Sequence, residues 1–342
     1  MKKTILFAAA MTVLATMSCS KEETEPSVEP QETFSVLTLN VDGLPKTIGV
    51  GMKQFDVNPD GPGEEYSSVI GVYLADKHFD FIGVQENFNY DKQIYMHLAE
   101  SYNRDVWGGE IRLDKLNGLR FNTDGINGFW KKEISAKRTD SITWKAGYGL
   151  FDHGWDAIIA KGFRRYDLKL KGGSKIVIYN MHMDAGDTED EITGNDGPDQ
   201  RARMVQWRQL RDYILDHIDT RPVIVMGDLN SWYERDSIKA QFIDYITATG
   251  RATVSDVWIE MERDGAYPVW TDEIVFSDPD ASDWSRNGET LDKILYLNPI
   301  GGSYLKPLSV NIDSISYVKR DGTPLGDHNP LSASFEIINK IE

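Results

Sequence analysis

Short β-rich apolar runs, each closed by a polar residue, recur along this 342-residue chain from Phe34 to Ile338. Phe34–Val41 (FSVLTLNV), Asp80–Glu86 (DFIGVQE), Ser174–Asp184 (SKIVIYNMHMD) and Pro222–Gly227 (PVIVMG) predict core strands. Ile126–Trp130, Trp155–Lys161, Thr290–Leu297 and Leu331–Ile337 are further strand candidates. Helical spacing fills the gaps at Tyr66–Phe79, Asp91–Tyr102 and Asp199–Ile218. The last is the clearest, with Met204, Trp207, Leu210, Ile214 and Ile218 at steps of three and four. No repeat and no second linker interrupts the pattern, so it predicts one large domain. Asn40, Glu86, His182, Asp228, Asp292 and Asp327 sit at the ends of apolar runs. Strand ends are where sheet-based folds place chemistry. One such residue is ordinarily a turn or a cap; six in one chain are harder to dismiss.

Composition narrows the classes. Hydrophobic residues make up 40% and aromatics 11%, which supplies a core and excludes global disorder. A net charge of −17 argues against a generic polyanion binder, because phosphate contacts need local positive charge. The single cysteine excludes an intrachain disulfide and a cysteine-based zinc site.

The N-terminus stands outside the fold. Residues 1–18 combine basic Lys2 and Lys3 with a nearly apolar stretch from Ile5 to Met17, too short to span a bilayer. Ala15-Thr16-Met17-Ser18-Cys19 resembles a bacterial lipoprotein processing site, which implies cleavage before Cys19 and acylation of its thiol. The other reading is an ordinary secretory signal with an incidental cysteine. Processing removes two lysines and no acids, so the mature chain is more acidic still. Residues 19–33 form an acidic, Pro-containing tether with little to bury, and 34–342 are left for the domain. The acidic run after Cys19 also resembles a surface-export signal of Bacteroidetes lipoproteins. The expectation is a cell-envelope protein, lipid-anchored to the outer membrane, with display on the inner or the outer side left open.

The candidate site residues are few. His78, His97 and His217 fall in or near helical patterns and read as surface or capping residues; His153 stays open. His182 ends a strong strand, and His328 lies in Gly326-Asp327-His328-Asn329-Pro330. Asp228 and Asn230 flank Leu229. In an extended segment the pair would face one way and reach one phosphate or metal. An Asx turn is the competing reading. Asn, Asp and Glu oxygens beside few histidines suit a hard divalent cation such as Mg²⁺, with Mn²⁺ or another divalent ion as substitutes. A carboxylate-bound cation and two histidines are what phosphodiester hydrolysis by water needs.

Six motifs in order carry a family resemblance. LTLNVDGLP at Leu37–Pro45, VQEN at Val84–Asn87, NMHMD at Asn180–Asp184, GDLN at Gly227–Asn230, LDKIL at Leu291–Leu295 and GDHNP at Gly326–Pro330 resemble the endonuclease/exonuclease/phosphatase superfamily. The resemblance implies an α/β fold, a four-layer sandwich of two packed β-sheets flanked by helices. It makes Glu86 the principal Mg²⁺ ligand, assisted by Asn40, with Asp42 and Asp327 as further ligands. It makes His328, held by Asp292, the group that activates water. Asp228 and Asn230 would position the nucleophile, and His182 would protonate the leaving group; the two histidine roles are interchangeable at this stage.

Within the superfamily, NVDGL at Asn40–Leu44 resembles AP endonucleases, but Asn87-Phe88 follows Glu86 where those enzymes carry Thr-Lys. Secreted deoxyribonucleases are a second branch, and their disulfides are missing here. The bacterial sphingomyelinase-like branch is the closest resemblance. It rests on Asp156–Phe163 (DAIIAKGF) and on Arg201–Ile214 (RARMVQWRQLRDYI). Met183-Asp184, Lys293 and Gly326 depart from that branch, which usually shows an apolar or aromatic residue after Asp292. Trp270, Phe276 and Trp284 lie where such enzymes carry a membrane-docking hairpin, although scattered aromatics are the commoner reading. The resulting expectation is a monomeric, exported phosphodiesterase acting on a lipid or small phosphodiester. A secreted nuclease and a catalytically inactive binding lipoprotein are the alternatives.

Overall fold

A computed structural model describes residues 32–50, 53–114, 120–147, 158–186, 197–269 and 289–340. All belong to one compact unit, Gln31–Glu342. The leader, Cys19, His153, Trp270, Phe276 and Trp284 lie outside the described residues.

Strand β1 (Glu32–Asn40) is followed by a hairpin of β2 (Thr47–Val50) and β3 (Lys53–Asp56), then α1 (Gly63–Lys77) and β4 (Phe81–Gln85). Next come α2 (Asp91–Leu98), β5 (Tyr102–Arg104), the short pair β6 (Leu113–Asp114) and β7 (Arg120–Phe121), and β8 (Asn127–Lys131). The second half holds β9 (Ser135–Thr143), β10 (Gly162–Lys169), β11 (Lys175–His182), α3 (Gly197–His217) and β12 (Val223–Asp228). A π-helical turn at Lys239–Asp244 leads into α4 (Tyr245–Ala248). Then β13 (Ala252–Asp256), α5 (Val257–Glu262), β14 (Asp292–Pro299), β15 (Tyr304–Ile312) and β16 (Leu331–Ile338) complete the chain.

Two six-stranded mixed sheets result, ordered β15-β16-β1-β4-β8-β5 and β13-β14-β12-β11-β10-β9. Their facing sides share one core. Phe34 and Val36 of β1, Phe81 of β4 and Phe335 of β16 meet Ile176 and Ile178 of β11, Ile224 and Met226 of β12, and Ile294 of β14. The alternate residues face outward. Leu37, Leu39, Ile82 and Val84 pack under Ile70 and Leu74 of α1 and Ile94 of α2. Val177, Tyr179, Val223 and Val225 pack under Trp207, Leu210 and Ile214 of α3. Strands apolar on both faces are therefore strands covered on both faces, and the expected four-layer α/β sandwich is the structure observed.

Three boundaries differ from expectation. The first strand begins at Glu32, inside the predicted tether, because Glu32 pairs with Ile337 and its carboxylate accepts the Gly172 N–H at 2.6 Å. The helix predicted to reach Tyr102 stops at Leu98; Tyr102 instead opens β5, buried, with its hydroxyl donating to Phe79 O at 2.7 Å. Of the strand predicted at Trp155–Lys161, residues 155–157 lie outside the described residues and 158–161 are not strand; β10 begins at Gly162, where pairing with Thr143 starts. A Cβ at Gly162 would stand 2.0 Å from Ile142 O, so the close strand approach requires glycine there.

Candidate active site

Period-two alternation places the site. Inward positions on β1 run Phe34, Val36, Thr38, Asn40, and on β11 they run Ile176, Ile178, Asn180, His182. On β12 they are Ile224, Met226 and Asp228; on β14, Tyr296, Ile294 and Asp292. Each inward row is apolar in the middle of the sandwich and polar at one end. Register brings the polar ends together, with Asn40 beside Gln85, His182 beside Asp228, and Asp228 beside Asp292. His328 arrives on the loop before β16, whose Leu331 pairs with Thr38 of β1.

The two sheets close on each other through Asn40. Its Nδ2 donates to Glu86 Oε1 at 3.1 Å and to Asp228 Oδ2 at 3.0 Å. Asn40 Oδ1 accepts the Asp42 N–H at 3.0 Å, and Asp228 Oδ1 accepts the Asn230 N–H at 3.1 Å. Both strands thus end in Asx turns. Asp42, Glu86 and Asn230 all have left-handed backbone, at φ of 48°, 53° and 44°. Non-glycine residues held there store strain, which clusters at functional sites. Gly43 permits part of this: its N–H donates to Glu86 O at 3.1 Å, and a Cβ there would lie 2.3 Å from that oxygen. Asn230 therefore reaches Asp228 through a turn and not through an extended strand, and its Nδ2 faces Met183 O at 3.2 Å.

His328 Nδ1 lies 2.6 Å from Asp292 Oδ2, and its Nε2 lies 3.6 Å from Asp228 Oδ2. His182 Nε2 approaches the same Asp228 oxygen at 3.3 Å and Glu86 Oε1 at 4.0 Å. Burial alone would lower the His328 imidazole, but Asp292 and Asp228 outweigh it and hold the ring well above its ordinary value. Burial would raise Asp228, but His328 and His182 hold it below the ordinary carboxylate range. Asp42 is pushed up to about 8 by burial and by the carboxylates of Asp327 and Glu86.

Among the described residues one compact set of groups could hold a cation. Asp228, Asp292 and His328 each bring one atom within 4.8 Å of the others. However, the 2.6 Å contact occupies His328 Nδ1 and an Asp292 oxygen, so this set reads better as a proton-handling pair than as a cage. Glu86, Asp42 and Asp327, the carboxylates expected as ligands, do not form a set as compact as this, although Asp327 and Glu86 act electrostatically on Asp42. Burial first, and then repulsion from Asp327 and Glu86, raises Asp42; a divalent ion would relieve that repulsion, and all-oxygen donors suit a hard cation. Asn40, expected among the ligands, has its oxygen engaged by Asp42 N–H and its amide nitrogen turned to Glu86 and Asp228. In this geometry it orients two carboxylates.

The layer below was not singled out from sequence. Gln85 Nε2 donates to Asn180 Oδ1 at 2.7 Å and to Thr38 Oγ1 at 3.1 Å, while Asn180 Nδ2 donates to Asn127 O at 2.9 Å. All these side chains are buried, and the bonds tie one sheet to the other. Asn180 stands two residues before His182 on one strand face, a spacing that could have revealed it. Lys161 is buried, donates to Met183 O at 3.2 Å and lowers both Glu86 and Asp228 electrostatically. Its signal was its place in the Asp156–Phe163 stretch. His97 bonds Ser68 Oγ at 2.8 Å and His217 stacks on Tyr213, both far from this chemistry in role.

Solved structures show the same architecture. An endonuclease/exonuclease/phosphatase family protein from Bacteroides thetaiotaomicron matches with a TM-score of 0.57 at 16% identity, covering 91% of this chain and 100% of that one. D. rerio TDP2 complexed with single strand DNA product matches with a TM-score of 0.57 at 15% identity, covering 89% and 98%.

The fold is that of the endonuclease/exonuclease/phosphatase superfamily.

In sequence, a curated protein of Mycobacterium bovis named "Sphingomyelinase" is 25% identical over 305 residues, 89% of this chain and 53% of the relative. That likeness supports the sphingomyelinase-like branch of the superfamily. The chain spans about half the length of the curated relatives it matches. No family model matches it.

Proposed function

We propose that the chain is an exported, metal-dependent phosphodiester hydrolase of the sphingomyelinase or phospholipase C type. The observation that carries this reading is the meeting of His182, Asp228, Asp292 and His328 with Glu86 where the two sheets' polar ends converge. Glu86, Asp42 and Asp327 would hold Mg²⁺. The bound cation supplies charge neutralisation at the phosphate. His328, oriented by Asp292 at Nδ1, presents Nε2 towards the attacking water and takes its proton in the neutral form, which the surrounding carboxylates disfavour unless a cation offsets their charge. Asp228 lies within reach of both histidines and orders that side of the site. His182 is the candidate donor to the leaving oxygen. The sequence likeness to a sphingomyelinase supports a lipid or small phosphodiester as substrate. Cys19 as lipid anchor, the outer membrane as location and the monomeric state belong to the same proposal.

A product screen tests it. Sphingomyelin or another choline lipid should release water-soluble phosphocholine in Mg²⁺. Nicked plasmid without phosphocholine release would instead favour the nuclease alternative, and no hydrolysis of either would favour the binding lipoprotein.

A further inference from the structure

Behind the site lies a buried ion pair that the chemistry above does not use. Lys293 and Glu289 are 2% and 4% exposed, and Lys293 Nζ is 3.1 Å from Glu289 Oε1. Lys293 also donates to Thr290 O and lies 4.9 Å from the centre of the Tyr233 ring. Glu289 Oε1 accepts the backbone N–H of Tyr233 at 2.5 Å. The Tyr233 hydroxyl in turn donates to Asp256, the N-cap of α5, at 2.5 Å. Two charges almost out of water are poor evidence for stability, since well-packed apolar groups of similar volume do as well or better. Such a pair calls for another role.

Its connections supply one. Tyr233 ends the turn that begins at Asp228 and contains Asn230. Lys293 directly follows Asp292, the partner of His328. Between the two segments, the Leu229 N–H donates to Leu291 O at 3.3 Å. Glu289 therefore fastens the far end of the Asp228–Tyr233 turn to the segment that delivers Asp292. Asp228 fastens the near end through Asn230 N. Lys293 counters the burial that pushes the Glu289 carboxyl up, and its contact fixes that side chain in the core. Its neighbour across the strands is Gly227, so the clamp lies one residue behind the Asp228–Asp292 pair.

We propose that Glu289 and Lys293 are positioning residues, a buried clamp that sets the Asp228–Asn230 turn against Asp292 and so against His328. This rests on the hydrolase reading above. The working contact is the Glu289 oxygen on Tyr233 N–H, and the lysine serves to hold that oxygen in place.

Two double variants of the full chain separate these roles. Glu289→Gln with Lys293→Met removes both charges and keeps an amide oxygen for Tyr233. Glu289→Leu with Lys293→Met removes the acceptor as well. With bis-p-nitrophenyl phosphate in Mg²⁺, the glutamine variant should keep kcat within about 3-fold of wild type, whereas the leucine variant should lose about 10- to 100-fold in kcat at nearly unchanged KM. Thermal melting establishes that both fold. Should the leucine variant not fold, Glu289→Ser with Lys293→Met takes its place under the same criteria, because the short hydroxyl cannot span to Tyr233. Equal kcat in the two variants, or a loss confined to KM, overturns the positioning role. His328→Ala is assayed beside them. A wild type no faster than His328→Ala would sink the hydrolase reading and the clamp with it, whereas an active wild type with equal double variants overturns the clamp alone.

Discussion

Asp292 is a residue whose whole environment points to one task. It is fully buried, and one oxygen lies 2.6 Å from His328 Nδ1. Asp292→Asn keeps the volume and loses the charge that holds the imidazole raised and in one tautomer. Hydrolysis should fall by roughly 10²–10⁴ in kcat, with KM little changed, as steady-state kinetics would show. Asp313, away from the site, offers a test by pH. Burial works against its charge, but Lys77 and Ser316 hold it below the ordinary carboxylate range. A depressed folded-state pKa gives stability that is present above the unfolded value of 3.8 and lost as pH falls through the folded one. Asp313→Asn should cost about 0.5–1.5 kcal/mol at pH 7, and the gap should close as pH drops towards about 2. Urea denaturation at both pH values measures it.

At the scale of elements, what the sequence revealed and what it concealed divide along the sheets. The strands legible as apolar runs, β1, β4, β11, β12 and β14, are interior strands covered on both faces. The four edges, β15, β5, β13 and β9, were not foreseen. In β9, Ser-Ala-Lys-Arg-Thr-Asp-Ser-Ile-Thr has no buried residue, and β15 has Leu305 alone. An edge strand needs no apolar face, and charged residues there discourage pairing with another chain. Among site residues, strand ends announced Glu86, His182, Asp228 and Asp292, because a polar residue closing an apolar run is visible in one dimension. Lys161 and the Gln85–Asn180 bond were not announced, because they gain meaning only from the other sheet. That bond gives the element-scale prediction. Asn180→Ala leaves the buried Gln85 amide without its partner across the sheets and should cost about 1–3 kcal/mol in chemical denaturation, with activity reduced in the folded fraction.

For the whole molecule, the acidic balance and the lone cysteine take on specific meanings. Part of the negative charge lies in residues 19–33, expected from sequence to be a tether, and part in Glu86, Asp42 and Asp327, where on the proposed reading it would attract a divalent cation. The charge therefore argues against a long non-specific polyanion groove and leaves phosphodiester chemistry open. Among the described residues no helix is long and apolar enough to cross a membrane, so attachment on the proposed reading depends on Cys19. Cys19→Ser should move the protein from the membrane fraction to the soluble fraction on cell fractionation while leaving hydrolysis of a soluble substrate unchanged.

The most direct measurement is hydrolysis of bis-p-nitrophenyl phosphate by wild type, Glu86→Ala and His328→Ala, each with Mg²⁺ and with EDTA. The expected result is turnover by wild type in Mg²⁺ alone, with both variants slower by roughly 10²-fold or more. Full activity in EDTA, or either variant matching wild type, would contradict a metal–carboxylate–histidine site at the joined ends of the two sheets.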